Sequence, residues 1–142
     1  GLPRGEALSD IFRIVLILAL FGWVGVARLA RAAALSVLAR DYVRAARGLG
    51  ASEARILWRH VAPNIMGPIL VATALAVAGA ILAESALSFL GLGIAPPAAS
   101  WGNMLANAQD LVFSAPLAAV WPGVMILLAV AGCTLVADGL RR

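Results

Sequence analysis

Lysine is absent from this chain of 142 residues, and all eleven basic side chains apart from the lone histidine are arginine. A phosphate-cradling loop of the GxxxxGK[ST] type needs a lysine, so this sequence carries none. Cysteine occurs once, at Cys133 inside an apolar run. That excludes an intrachain disulfide and a thiolate metal cluster, and it suits a small packing residue. An isolated histidine, His60, makes neither a metal site nor a catalytic pair, and no GxSxG is present for an intramembrane hydrolase. Charge is scarce as well: 13% of residues are charged, 63% are apolar, and the mean hydropathy is +0.97. Soluble domains run at about 25% charged and about 45–50% apolar, so this is the composition of a membrane protein.

Long apolar sequence fills the space that charge leaves. Residues 65–83 carry no charge and make a helix of about 28 Å at ~1.5 Å per residue, close to the hydrocarbon thickness of a bilayer. Residues 117–137 form a second uncharged run. A third, 11–27, is interrupted by Arg13. It lengthens as a helix through Leu38, with Arg28 and Arg31 on one face and their stems reaching for the interface. The pattern predicts an all-α membrane protein with spans at about 11–38, 65–90 and 117–138. Loops at 41–64 and 91–116 join them within one unit, 1–142.

Arginine placement orients these spans. Seven arginines (Arg28, Arg31, Arg40, Arg44, Arg47, Arg55 and Arg59) lie between the first and second spans, where the acids are Asp41 and Glu53 alone. The stretch 91–116 holds Asp110 and no arginine, and Arg141 and Arg142 follow the third span. The positive-inside rule places 28–64 and the C-terminus in the cytoplasm, with the N-terminal end and 91–116 outside. A start of GLPRGEALSD, with neither an initiator methionine nor a signal peptide, then has to cross without a preceding span. The simplest reading is the C-terminal part of a longer polytopic protein.

The basic loop has more organisation than topology requires. Residues 40–49 have helix-compatible composition, with Ala45 and Ala46 among the arginines. Gly48 and Gly50 permit a reversal that residues with a Cβ resist. Ser52 is an N-cap candidate for a second helix, and Glu53 sits where the positive helix end favours an acid. Ile56, Leu57 and Val61 give that helix an apolar side, and Arg55 and Arg59 form an i, i+4 basic pair. Pro63 biases Ala62 away from helix, so the short helix is expected to stop there. The shape is a helix–turn–helix elbow at the membrane surface. Against this stands a plainer reading, in which the arginines only enforce topology and bind anionic headgroups.

Outside the elbow, Glu84 is the one acid within an otherwise apolar stretch. An ionisable residue at membrane depth is a functional candidate by default, here for the pathway or its gating. A structural role near the interface competes with it. Gly67, Pro68, Gly79 and Gly91 either loosen the second span or allow close helix packing, of which packing is favoured. The far loop offers a Pro-Pro turn and an amphipathic stretch over 104–112. Trp101 and Trp121 suit interfacial anchoring.

The segment RAARGLGASEARILWRHVAPN at 44–64 resembles the EAA loop of ABC importer permeases. That pattern reads Glu-Ala-Ala, three residues, Gly, nine residues, then Ile-x-Leu-Pro. Ala45-Ala46, Gly50 and the His-Val-Ala-Pro at 60–63 follow its spacing. AILAESALSFLGLGIAPPAASWGNML at 80–105 and the closing VADGLRR at 136–142 are similar to the dipeptide/oligopeptide/nickel branch. The likeness runs from about Asp10 onward and corresponds to the last three spans of a permease that normally has six. Arg44 stands at the motif glutamate, and His60 and Ala62 replace its Ile and Leu.

This resemblance implies a permease subunit that transmits the closure of partner ATPases to the import of peptides, nickel or similar small solutes. It implies no enzymatic activity and no bound cofactor, with ATP hydrolysed by the partner. The implied partners are ABC ATPase subunits, a second permease subunit, an extracytoplasmic solute-binding protein and the lipid bilayer, with no nucleic acid. The implied location is the inner or plasma membrane. The ATPase-facing residues are expected to be Ala45, Ala46, Gly50, Ala51, Ser52, Glu53, Arg55, Ile56, Arg59 and Pro63. With Arg44 in the glutamate position, shape at Ala45, Ala46 and Gly50 is the firmer basis for docking than charge. The far loop is expected either to meet the solute-binding protein or to lie on the surface. A competing reading is a three-span scaffold or assembly subunit whose elbow binds a protein other than an ATPase.

Overall fold

In lipid every backbone N–H and C=O must be satisfied within its own segment, so long apolar runs become helices. The computed structural model describes residues 4–94, 98–111 and 113–141. The Pro-Pro turn expected at 96–97 lies outside these, as do residues 1–3, Val112 and Arg142. Among the described residues the chain is helical and has no strand: α1 Arg4–Leu38, α2 Asp41–Gly48, α3 Glu53–Ile56, α4 Ala62–Phe89, α5 Trp101–Ala108 and α6 Leu117–Arg141. A π-helical turn, Leu57–Val61, joins α3 to α4.

Three stretches are long and apolar enough to cross a membrane: Ile11–Leu38, Glu53–Phe89 and Leu117–Leu140. The second is 37 residues without a break, about 55 Å at ~1.5 Å per residue. It exceeds a hydrocarbon core of about 30 Å, and its two arginines, Arg55 and Arg59, lie in its first turns. Little of this apolar surface is covered within the chain. The most hydropathic windows of the three stretches are 0%, 6% and 11% buried, which leaves side chains such as Phe21 and Leu127 for lipid or other helices. The central helix is α4, which packs against α1, α5 and α6.

Three expectations change. The helix does not stop at Pro63. Pro63 falls in the first turn of α4, immediately after the π-helical turn, in which the Ala62 N–H donates to the Leu57 carbonyl. The widened turn relieves the clash a proline ring makes with the preceding turn. Asn64 Nδ2 donates to the His60 carbonyl oxygen at 2.6 Å, giving that acceptor a partner. The far-loop helix begins at Trp101 rather than 104 and ends at Ala108, because Ser100 caps it: its Oγ accepts from the Asn103 N–H at 3.2 Å.

The third change concerns glycine. A Cβ at Gly67 or Gly79 would meet nothing within 4 Å, so neither serves close packing inside this chain. Gly91 instead takes φ +75° just past the end of α4. There the Leu92 N–H reaches back to Leu87 and the Gly91 N–H to Ser88, the double bond of a Schellman ending. Close approach occurs at Gly102, where a Cβ would fall 2.3 Å from the Ser85 carbonyl oxygen, and at Gly93, where it would fall 2.2 Å from Ser88 Oγ.

Candidate functional site

The elbow is a small folded unit with its own core. Val43 of α2 is 0% exposed, Ile56 of α3 and Val61 of the π-helical turn are each 1% exposed, and Val37 at the end of α1 closes the cluster. Ala34, Leu38, Ala51 and Ile65 pack around it. Burying aliphatic side chains from four consecutive segments fixes their relative angles, with about 1.5–3 kcal/mol for each fully buried Val or Ile. The position of the elbow relative to the membrane helices is thereby set by packing.

The reversal between α2 and α3 is built as expected, with one refinement. Gly48 is the last residue of α2, and Gly50 alone takes the left-handed conformation, φ +82°. The Ala51 N–H returns to Ala46 and the Gly50 N–H to Arg47, a second Schellman ending. Ser52 then caps α3, its Oγ accepting from the Arg55 N–H at 3.4 Å. Across the turn Arg47 and Glu53 form a two-pronged ion pair, Nε to Oε1 at 2.9 Å and Nη2 to Oε2 at 3.0 Å. The hydrogen bonds and charge of Glu53 hold the Arg47 guanidinium above its ordinary range. The Tyr42 and His60 rings, 5.9 Å apart, tie α2 to the π-helical turn.

These contacts sort the residues that the sequence marked for docking. Ala45, Gly50, Ser52, Glu53, Arg55, Arg59 and Pro63 are exposed on the elbow, and Ala46 and Ala51 are half-buried. Ile56 is not on the surface: its side chain lies in the elbow core, drawn there by Val37, Val43 and Val61. Glu53 is engaged by Arg47, so its charge is already balanced within the chain. Arg44 makes only a loose 3.8 Å contact with Asp41, both side chains well exposed.

Sequence reasoning passed over three apolar residues here. Leu49, at the tip between two glycines, is 89% exposed, Trp58 is 75% exposed, and Tyr42 is also exposed. A large aliphatic residue inside a glycine-flanked, charged loop was the available signal for Leu49. An exposed leucine on a tip fixed by its own core offers a partner an apolar anchor at small entropic cost.

At the other end of α4, Glu84 and Ser88 sit one turn apart and meet, Ser88 Oγ donating to Glu84 Oε1 at 2.7 Å. Ser88 Oγ also accepts from the Ile94 N–H at 3.1 Å. Asn103 Nδ2 donates to the Ile94 carbonyl at 2.5 Å and to the Ala98 carbonyl at 3.3 Å. These bonds tie Ile94 to the end of α4 and both Ile94 and Ala98 to α5. Glu84 lines a cavity of ≈ 360 Å³ together with Ile94, Ala99, Ser100, Trp101 and Met104. Ser85 beside it is buried, and its hydroxyl has no partner among the described residues. No group of three His, Cys, Asp or Glu fit for a metal occurs among the described residues.

The family model described as binding-protein-dependent transport system inner membrane component matches residues 6–142. A putative peptide permease protein of Brucella ovis is 43% identical over 135 residues, covering 94% of this chain and 45% of that protein. The oligopeptide transport system permease protein OppC of Mycobacterium tuberculosis is 40% identical over 139 residues, covering 98% of this chain and 48% of that protein. A putative peptide transport system permease protein of Brucella suis is 46% identical over 115 residues, covering 81% and 39%. The chain thus spans less than half the length of these relatives. With its three membrane-length helices and its elbow between the first two, the chain belongs to the family of binding-protein-dependent transport system inner membrane components.

Proposed function

We propose that this chain is the part of an ATP-driven importer that carries movement from a soluble ATPase into the membrane. The cargo class is peptides, nickel or similar small solutes. The observation that carries this reading is the elbow, a protruding helix–turn–helix whose angle is locked by a core of Val37, Val43, Ile56 and Val61. Its tip presents Leu49 with Ala45, Gly50 and Ser52 beside it, and the exposed Arg55 and Arg59 provide a polar rim. A rigid elbow continuous with a 37-residue helix acts as a lever: displacement at the tip moves α4, and α4 touches every other membrane helix.

In this reading the elbow faces the cytoplasm, as the seven arginines around it favour, and the N-terminal end of α1 faces outside. ATP is bound and hydrolysed by the partner, and no cofactor belongs to this chain. A second permease subunit and the bilayer cover the apolar faces, and a solute-binding protein delivers cargo to the opposite side.

The test is crosslinking in membranes with the co-expressed ATPase. On a Cys133→Ser background, Leu49→Cys and Ser52→Cys should give adducts with the ATPase subunit, whereas Gly22→Cys within α1 should give none. Absence of adducts at both elbow positions, with both proteins folded in the membrane, would overturn the docking reading.

A further inference from the structure

Arg28 and Arg31 of α1 meet no counter-charge among the described residues, making neither an ion pair nor a hydrogen bond there. Asp41 and Glu53 are turned to Arg44 and Arg47 instead. Glu6 and Asp10, on the same helix, lie eighteen or more residues before Arg28, about 27 Å or more along the axis. Counted from Ile11, where the first span begins, Arg28 and Arg31 stand about 25 Å and 30 Å along it. That is the edge of a hydrocarbon core of about 30 Å. Two guanidiniums one turn apart repel each other. A single phosphate between them replaces the repulsion with charge-assisted hydrogen bonds.

The rest of this side of α1 says what carries the phosphate. Ile17, Phe21, Val24, Arg28, Arg31 and Leu35 follow at steps of three or four residues, so they share one side of the helix, and all six are exposed. The opposite side, with Ala19, Gly22 and Val26, borders α4. Membrane helices meet one another chiefly through small residues. On α1 the small Ala19 and Gly22 are turned toward α4, whereas the side that leads to the arginines offers large side chains, with Phe21 78% exposed. Such a surface suits acyl chains better than another helix. No acid occurs from residue 11 to residue 40, so an ammonium headgroup finds no partner on this helix beside the arginines.

We infer that this side of α1 is a binding site for an anionic phospholipid of the leaflet next to the elbow. The phosphate bridges Arg28 and Arg31, and an acyl chain lies along Val24, Phe21 and Ile17. Val37, less than two turns past Arg31, belongs to the elbow core, so the lipid steadies the part of α1 on which the elbow is built. The site stands whatever the elbow docks.

The test uses the chain on a Cys133→Ser background, reconstituted with co-expressed subunits whose own cysteines are removed. Phe21→Cys carries a bimane label. Bilayers mix phosphatidylglycerol and phosphatidylcholine, with bromine on the chains of one lipid and then of the other, so that quenching reports which lipid lies against the label. Phosphatidylglycerol should be preferred by roughly tenfold, from a few-fold for each arginine. Arg28→Gln with Arg31→Gln should bring the preference close to one, and Arg28→Lys with Arg31→Lys should keep most of it. Leu70→Cys, exposed on α4, reports bulk lipid and should show no such preference. A preference unmoved by the glutamine pair, or matched at Leu70→Cys, would overturn the site. Absence of quenching by either lipid at Phe21→Cys would mean that a partner's helix covers this side, and would overturn it as well.

Discussion

At Gly50 the backbone turns through φ +82°, yet nothing lies within 4 Å of where a Cβ would stand. The requirement for glycine there is conformational, so Gly50→Ala should cost about 1 kcal/mol. Gly48→Ala, two residues earlier and helical, should be neutral or stabilising by up to about 1 kcal/mol. Gly102 is constrained by space instead, since a Cβ would sit 2.3 Å from the backbone oxygen of Ser85, which cannot rotate away. Gly102→Ala should therefore cost more, about 1–3 kcal/mol, and should unseat α5. Thermal unfolding of the three variants in lipid nanodiscs ranks them; a harmless Gly102→Ala would contradict the packing described. The Gly-Leu-Gly at 48–50 announced a reversal in the sequence. Which glycine takes it depends on where α2 ends, and that end is fixed by Val43 entering the core. Nothing local marked Gly93 or Gly102, because their contacts form only when Gly93 folds back on Ser88 and α5 packs against the end of α4.

Among the elements, the decisive one is the unbroken run from α3 through the π-helical turn into α4. Its apolar side was legible in part, since Ile56 and Val61 enter the core while Leu57, expected with them, stays exposed; the cap at Ser52 was legible as well. Pro63 concealed its continuity. A proline normally ends a helix from the sequence point of view, and only a widened turn before it lets the chain pass. Burial also reversed the meaning of Ile56, which reads equally well as a surface anchor or a core residue until Val37 and Val43 are brought against it. Ile56→Ala should therefore act through the core. It removes a side chain 1% exposed, at a cost of about 2–5 kcal/mol, and frees the elbow from the lever. Hydrogen exchange should rise across α2 and α3 while α4 and α6 keep their protection. Exchange unchanged in the elbow would mean that its angle is held by something other than this cluster.

Over the whole molecule, charge divides along the helix axes. Leu29 of α1, Gly67 of α4 and Leu140 of α6 line one groove, so the C-terminal parts of α1 and α6 share an end with the start of α4. The elbow projects from that end with its four exposed arginines, Arg44, Arg47, Arg55 and Arg59, and Arg28, Arg31 and Arg40 lie exposed just before it. The Glu84 cavity, α5 and Phe113 belong to the other end, where residues 91–116 carry one acid and no base. A short arginine-rich loop such as the elbow is expected on the cytoplasmic side, and the prediction is made by labelling. On a Cys133→Ser background in spheroplasts, Phe113→Cys, fully exposed, should react with a membrane-impermeant maleimide. Leu49→Cys should react only after permeabilisation. The opposite pattern would put seven arginines on the translocated side, against a bias that acts on short loops whatever they bind, and would remove the elbow from the reach of any cytoplasmic ATPase.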